Sequence, residues 1–422
     1  MRKREGILTN VTERNLKKLK KNPEAFWKGV TEIGDKAFDY CRGLTSITIP
    51  SSVTKIGDRA FIGCIGLTSI TIPDSVTKIG DRAFSFCTGL TSITIPNSVT
   101  EIGYEAFYYC TGLTSITIPN SVTEIGNRAF AHCEALTSIT IPDRVREIGN
   151  QAFKDCTGLT SITIPNSVTE IGSQAFFGCT GLTSINIPDC VTEMGAAAFV
   201  GCTGLTSINI PDCVTEIGAA TFAGCKGLTS ITIPDSVTRI GYEAFVGCKG
   251  LTSITIPDSV TEIGNYAFYN CKGLQEIIVS ARVKDLVKEA IEFFNKGRWI
   301  EVETEEIKPD EYYLDLVKKS PMTIDLFPVE KFSEAFVLKL KKAIYQQFEA
   351  EIEKIDVENK TQYNAIVQKM EHVKATLHDK QGKYKQKQEK ERRNKIKETQ
   401  KNELKDRLNE LFPEEDDDGK DE

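Results

Sequence analysis

Apolar residues recur along this chain with a period of 23. In one unit they fall at Leu90, Ile93 and Ile95, then at Val99 and Ile102, then at Ala106, Phe107 and Cys110, and the series restarts at Leu113. The first group has the spacing L-x-x-I-x-I with Thr94 between its last two members, a local alternation that predicts a short strand with one buried face. Pro96 ends that strand, because proline cannot donate to a sheet ladder. Val99 and Ile102 predict a second short apolar segment closed by Gly103. Ala106, Phe107 and Cys110 predict a third, expected as a helical turn or a 3₁₀ segment. A coil with three sides, each turning apolar residues inward, is one rung of a solenoid.

Eleven valines stay in register from Val30 to Val260, and eleven phenylalanines from Phe38 to Phe268. A single rung cannot bury its own apolar face, so the rungs must stack. With parallel strands ~4.8 Å apart, eleven rungs make a rod on the order of 50 Å along its axis. Stacking puts Phe on Phe and Ile on Ile, and burial of each such phenylalanine contributes roughly 1.5–3 kcal/mol. Of thirteen cysteines, eleven share one place in the unit, from Cys41 to Cys271, while Cys190 and Cys213 stand outside that column but again one period apart. An odd total at constant spacing reads as structural positions used repeatedly, with buried thiols acting as small hydrophobes.

The L-x-x-I-x-I-P strand, the Val-x-x-Ile-Gly segment and the Ala-Phe-x-x-Cys turn resemble the BspA-like class of leucine-rich repeats, over about residues 30 to 280. The general leucine-rich pattern places Asn or Cys after the strand, whereas here the cysteine precedes it, as in Cys110-Thr-Gly-Leu113. The resemblance implies a β-rich leucine-rich-repeat solenoid of short parallel strands and helical turns. It also implies an interaction protein, surface or secreted in many members, without naming a partner.

Outward positions are where function is to be sought, since a fold hosts many functions. On the main strand these alternate Ser92 and Thr94, Ser115 and Thr117, Ser161 and Thr163, with Asn186 and Asn209 replacing threonine in two units. This hydroxyl-rich strip reads as good strand propensity with solubility, or as a protein-binding face or an ice- or glycan-binding array. A second column places Glu101, Glu124, Glu147, Glu170, Glu193 and Glu216 in six consecutive rungs, with Lys55 and Lys78 before them and Arg239 after. Like charges at rung spacing repel by ~0.9 kcal/mol per pair in water, so a solvated acidic stripe is tolerable. Carboxylates in a row lack the oxygen cage that calcium prefers, and no metal is expected. The most variable positions flank the third segment. Tyr40, Phe86, Tyr104, Tyr108 and Tyr109 fall there in early rungs, with Phe177, Tyr242, Tyr266 and Tyr269 later. Tyrosine supplies large contact area at low entropic cost. Tyr104, Tyr108 and Tyr109, with Phe86 and Tyr40, are therefore the candidate partner-binding residues, the alternative being an aromatic stack between neighbouring rungs.

The expected organisation is an N-terminal flank or cap over 1–29, the solenoid over 30–280, a helical cap and linker over 281–328, long amphipathic helices over 329–405 and an acidic tail over 406–422. Phe336, Leu340, Ile344, Phe348, Ile352 and Ile355 step by four, four, four, four and three, and Ile366, Met370, Val373, Leu377 and Tyr384 continue in heptad-like fashion. An intramolecular hairpin and a coiled-coil homo-oligomer remain open as readings. Residues 380–401 carry ten Lys or Arg against three Glu, and an acidic run begins at Glu414.

The net charge of −7 argues weakly against nucleic acid as the main partner. No stretch has the ~18–20 apolar residues of a membrane helix. A basic start without an apolar region behind it reads as no secretory signal, so a cytoplasmic protein is expected, with a surface or secreted one as the alternative. Three histidines, His132, His372 and His378, form no catalytic or zinc-spaced set. The expectation is a non-catalytic scaffold, without cofactor, that binds a protein partner through the solenoid surface. The alternative is an adhesin-type protein binding host protein or glycan.

Overall fold

The structure is a computed structural model. It describes residues 2–4, 6–280, 282, 283, 287, 298–302, 310–320, 334–352, 369, 372, 373, 375 and 376. The chain divides into two compact units, 1–303 and 304–422.

In the first unit, Arg2–Arg4 and Ile7–Thr9 form an antiparallel hairpin, and Ile7–Thr9 pairs in parallel with Glu32–Ile33 as the first layer of the stack. Helix α1 (Glu13–Lys21) starts where the Thr12 amide donates to Asn15 Oδ1 at 3.0 Å. Helix α2 (Pro23–Trp27) starts with Asn22 Oδ1 accepting from the Ala25 amide and with proline at its first position, where no amide is needed. It carries buried Phe26 and Trp27, whose rings lie 6.4 and 6.5 Å from that of Phe38. These two rings close the open end of the phenylalanine ladder.

The rungs then stack in strict register, each pairing linking residues one period apart, as in Ser115 with Ser92 and Ile125 with Ile102. The first side of the rung carries the three-residue Ser-Ile-Thr strands, which pair two by two. The longest ladder is on the second side. There two-residue strands such as Glu101–Ile102 continue the N-terminal hairpin into one ten-stranded sheet ending at Glu193–Met194. A new three-stranded sheet begins at Glu216–Ile217.

The third side differs from the helical or 3₁₀ turn expected of it. It consists of turns in which amides alternate between a local acceptor three residues back and an acceptor on the next rung. The Tyr108 amide donates to Glu105 O at 3.1 Å, and the Phe107 and Tyr109 amides donate to Ala129 and Ala131 on the following rung. To point every second amide along the stacking axis, Glu105 and Tyr109 adopt left-handed φ of 51° and 59°. A continuous helix would keep all its amides within the rung, so the inter-rung ladder excludes it.

Inside, Phe38 to Phe268 form one column with adjacent ring centroids 4.8–5.6 Å apart in near-parallel, offset stacks. From Cys64 to Cys271 each column thiol donates to the carbonyl of a phenylalanine on the preceding rung, as Cys110 Sγ does to Phe84 O at 3.1 Å, while Cys41 Sγ donates to Val11 O. Cys190 and Cys213 differ from that column: both are exposed.

The repeat pattern in sequence stops at Ser280, but the stack does not. Arg298–Val302 adds one further parallel strand on Glu276–Ser280, setting Trp299 opposite Ile277. Trp299 therefore sits in a strand, within the span 281–328 expected as a helical cap and linker.

The second unit contains α3 (Asp310–Lys319) and α4 (Glu334–Ile352). Tyr313, Leu316 and Val317 are buried on α3 and Phe336, Val337, Leu340, Ile344 and Phe348 on α4, with the Tyr313 and Phe336 rings 6.3 Å apart. The heptad-like steps from Ile366 to Tyr384 lie outside the described residues, apart from 369, 372, 373, 375 and 376, as do the basic run 380–401 and the acidic tail.

Candidate binding edge

Two columns on the third side hold a left-handed backbone in every rung. One runs through Arg82, Glu105, Arg128, Gln151 and Gln174. The other runs through Tyr40, Gly63, Phe86, Tyr109, His132, Asp155 and then Gly178, Gly201, Gly224 and Gly247. Glycine holds this position at no steric cost, whereas an L-residue with a side chain is disfavoured by roughly 1–2 kcal/mol there. The early rungs nevertheless place aromatic rings at it.

Those rings cluster. Phe86 stacks on Tyr109 with centroids 5.3 Å apart, and Tyr109 stacks on His132 at 4.1 Å. Tyr108 stands edge-on to all three at 5.5, 4.8 and 5.5 Å. His132 Nδ1 lies 3.6 Å from Asp155 Oδ2 on the next rung. Burial lowers the His132 pKa below its ordinary value, with Lys154 adding to that and Asp155 opposing it. Tyr40 is 56% exposed and its ring covers Gly63, where a Cβ would come 2.5 Å from Tyr40 Cδ1. Ile65 is exposed as well.

Tyr104 belongs to a different arrangement, the polar ladder beside the aromatic one. Glu105 Oε2 accepts from Arg82 Nε at 2.7 Å and Oε1 from Arg128 at 3.2 Å, while Arg128 Nε reaches Gln151 at 2.6 Å and Gln151 reaches Gln174 at 2.7 Å. The Arg82 guanidinium lies 5.1 Å from the Tyr104 ring centroid. Burial of Glu105 pushes its carboxyl up, but hydrogen bonds from Tyr104, Arg82 and Arg128 outweigh it and hold the pKa below the usual value. Among the described residues no ring contact joins Tyr104 to Tyr108 or Tyr109. The structure thus groups Phe86, Tyr108, Tyr109 and His132, and places Tyr104 on the neighbouring ion ladder.

His132 was legible in sequence only as an isolated substitution. The available signal was its phase, one period after Tyr109. A second aromatic group, Tyr242, Tyr266 and Tyr269, lies on later rungs, each ring about half exposed, with centroids 6.1 and 5.8 Å apart along the series.

The acidic column is paired at its ends. Glu101 lies 4.0 Å from Lys78, and Glu216 lies 2.5 Å from Arg239, which also reaches Glu262 at 3.8 Å. Between them, Glu170 has its pKa raised, by desolvation first and then by Glu147 and Glu193. The hydroxyl strip is exposed from Ser46 to Asn209 but ends there, because Ser230, Ser253 and Thr255 are buried. Among the described residues no cluster of three potential ligands could hold a metal ion, and no helix is long and apolar enough to cross a membrane.

Stacked three-sided rungs with an uninterrupted apolar interior define a leucine-rich-repeat solenoid. The BspA type leucine rich repeat region matches residues 31–160, 123–249 and 192–305 in six copies, and the chain belongs to that family. Among solved structures, a leucine-rich repeat protein from Bacteroides ovatus is 31% identical over 65% of this chain and 88% of its own, with a TM-score of 0.45. A leucine rich cell surface protein from Faecalibacterium prausnitzii is 36% identical over 59% of this chain and 83% of its own, with a TM-score of 0.39. The pneumococcal vaccine antigen PcpA is 25% identical over 60% of this chain and 68% of its own, with a TM-score of 0.46. Comparison with curated proteins gives no match.

Proposed function

We propose that the chain is a non-catalytic scaffold that binds a protein partner along the third side of its early rungs, through Tyr40, Phe86, Tyr108 and Tyr109. One observation carries this reading: aromatic rings occupy a left-handed position that later rungs fill with glycine. Stability alone favours glycine there. A strained backbone bearing exposed aromatic surface is an arrangement that binding explains. Stacking also pre-orders the rings, so less side-chain entropy is lost when a partner docks.

The same observation supplies a test in which folding and binding separate. Replacing Phe86 and Tyr109 by glycine relieves about 1–2 kcal/mol of backbone cost at each site while losing ring contacts of about 0.5–1.5 kcal/mol per pair. The doubly substituted chain is therefore expected to melt near the wild-type temperature and to lose its partner in affinity capture from source-cell extract or medium. Capture of the same partner at wild-type yield by the substituted chain would refute the assignment.

A further inference from the structure

We propose that Cys190 and Cys213 form a dithiol–disulfide couple that staples the one seam in the second-side ladder. Both thiols are exposed and free, and they hold the same place in adjacent rungs. Ladder pairing of Ser184 with Ser207 and Ile185 with Ile208 fixes those two rungs in register six residues earlier. Adjacent rungs lie ~4.8 Å apart, inside the Cα–Cα window of ~4.4–6.8 Å that a disulfide spans.

Serine holds this position in most other rungs, Arg144 being an exception, and shows a side-chain direction the position allows. Ser98, Ser121, Ser167 and Ser236 each turn Oγ back along the stacking axis to a valine carbonyl on the preceding rung, the last three at 2.6, 2.7 and 2.6 Å. A sulfur that takes the same rotamer at residue 213 points towards the rung of Cys190.

The pair sits where the structure needs a clasp. Between Glu32 and Ile263, among the described residues, Glu193–Met194 and Glu216–Ile217 are the only adjacent second-side strands left unpaired. Two departures from the repeat coincide with that gap. Met194 replaces the isoleucine of the other rungs, and Thr221 replaces the alanine, its buried hydroxyl donating to Gly218 O at 2.8 Å. The rungs stay joined on the other sides, for example by the Phe199 amide to Thr221 O at 2.9 Å.

The reaction is thiol–disulfide exchange with a low-molecular-weight disulfide. One cysteine thiolate attacks a sulfur of that disulfide, forming a mixed disulfide and displacing one small thiolate. The second cysteine thiolate attacks the protein sulfur of the mixed disulfide, closing the Cys190–Cys213 bond and releasing the second small thiolate. The two cysteine protons end on the released thiols, and the two electrons that reduce the small disulfide come from the protein sulfurs. In oxidising surroundings the seam is clasped, and in reducing ones it is open.

The test is oxidation of the full chain with glutathione disulfide, followed by intact mass and peptide mapping without reductant. The expected product is a monomer lacking two hydrogens, with Cys190 and Cys213 in one cross-linked peptide pair and a thermal midpoint raised by several degrees. Cys190→Ser and Cys213→Ser restore the residue other rungs use there, so they fold, and each is expected to stop at one glutathione adduct without the rise in midpoint. Two glutathione adducts on the wild-type chain, or a cross-link between two chains, would overturn the proposal.

Discussion

Glu105 shows how much one residue of the repeat can be asked to do. It holds a left-handed backbone that two later rungs give to Ala197 and Ala220, and it bridges Arg82 and Arg128 across three rungs. Because alanine is accommodated at this position, Glu105→Ala tests the ion ladder with little backbone confusion. The loss is expected to be about 1–3 kcal/mol from charge-assisted hydrogen bonds, towards the lower end because the Arg128 side chain is 41% exposed and partly screened. The Glu105 pKa is lowered in the fold, so its contribution is present above the unfolded value of ~4.3 and is lost as pH falls through the folded value. Urea denaturation of both chains at neutral and acid pH should show the difference shrink on acidification.

The cysteines make a second residue-scale case. Burial pushes the thiols of Cys110, Cys156 and Cys202 up to about 12, and each donates to a phenylalanine carbonyl, so they are unreactive in the folded chain. A thiol reagent added to native, reduced protein is expected to modify Cys190 and Cys213 quickly and the buried column from Cys41 to Cys248 only after denaturant is added. Rapid native modification of the column would contradict that packing.

At the scale of the element, the phenylalanine column and the inter-rung ladders act together. Each ring is held by a neighbour above and below, and a missing ring leaves a void that stiff β-rungs cannot close. Phe153→Ala is expected to cost about 3–5 kcal/mol, the range for large-to-small changes in a packed core, measured by calorimetry or denaturant unfolding. The seam gives the opposite expectation. Restoring the repeat with Met194→Ile and Thr221→Ala should let Glu193–Met194 pair with Glu216–Ile217. Amide exchange at Thr215 and Gly218 is then expected to slow by tenfold or more, corresponding to about 1.4 kcal/mol; exchange unchanged from wild type would show the gap has another cause.

For the molecule as a whole, each rung contacts only its neighbours, so effects accumulate along the array. The acidic column illustrates this. Lys78 and Arg239 neutralise its ends, and its middle carries unrelieved repulsion centred on Glu170. A carboxyl whose folded pKa is raised favours the fold most below its unfolded value and loses that contribution as pH rises through the folded one. Glu170→Gln is therefore expected to raise the thermal midpoint modestly at neutral pH and low salt, with no gain at acid pH. Salt should shrink the gain, since exposed charges are screened.

The repeat period, the identity of the core columns and the register of stacking were all legible in the letters, because period-locked Leu, Ile, Val and Phe have one way to stay dry. The candidate edge was half legible. Tyr108, Tyr109 and Phe86 stood out as departures from a monotonous surface, but Tyr104 was grouped with them by proximity in sequence, and His132 was passed over. Which rings share a column depends on the hand of the backbone at Tyr109 and Phe86, and that is imposed by hydrogen bonds to the next rung. The third side was misread as helical for the same reason: a local pattern reports turns, while the acceptor of each amide lies one period away. Sequence by itself determined what must be inside, through the cost of wetting it. Only the tertiary structure decided where the ladder breaks, which charges meet and which aromatics touch, because those depend on contacts between residues that are neighbours only once the rungs are stacked.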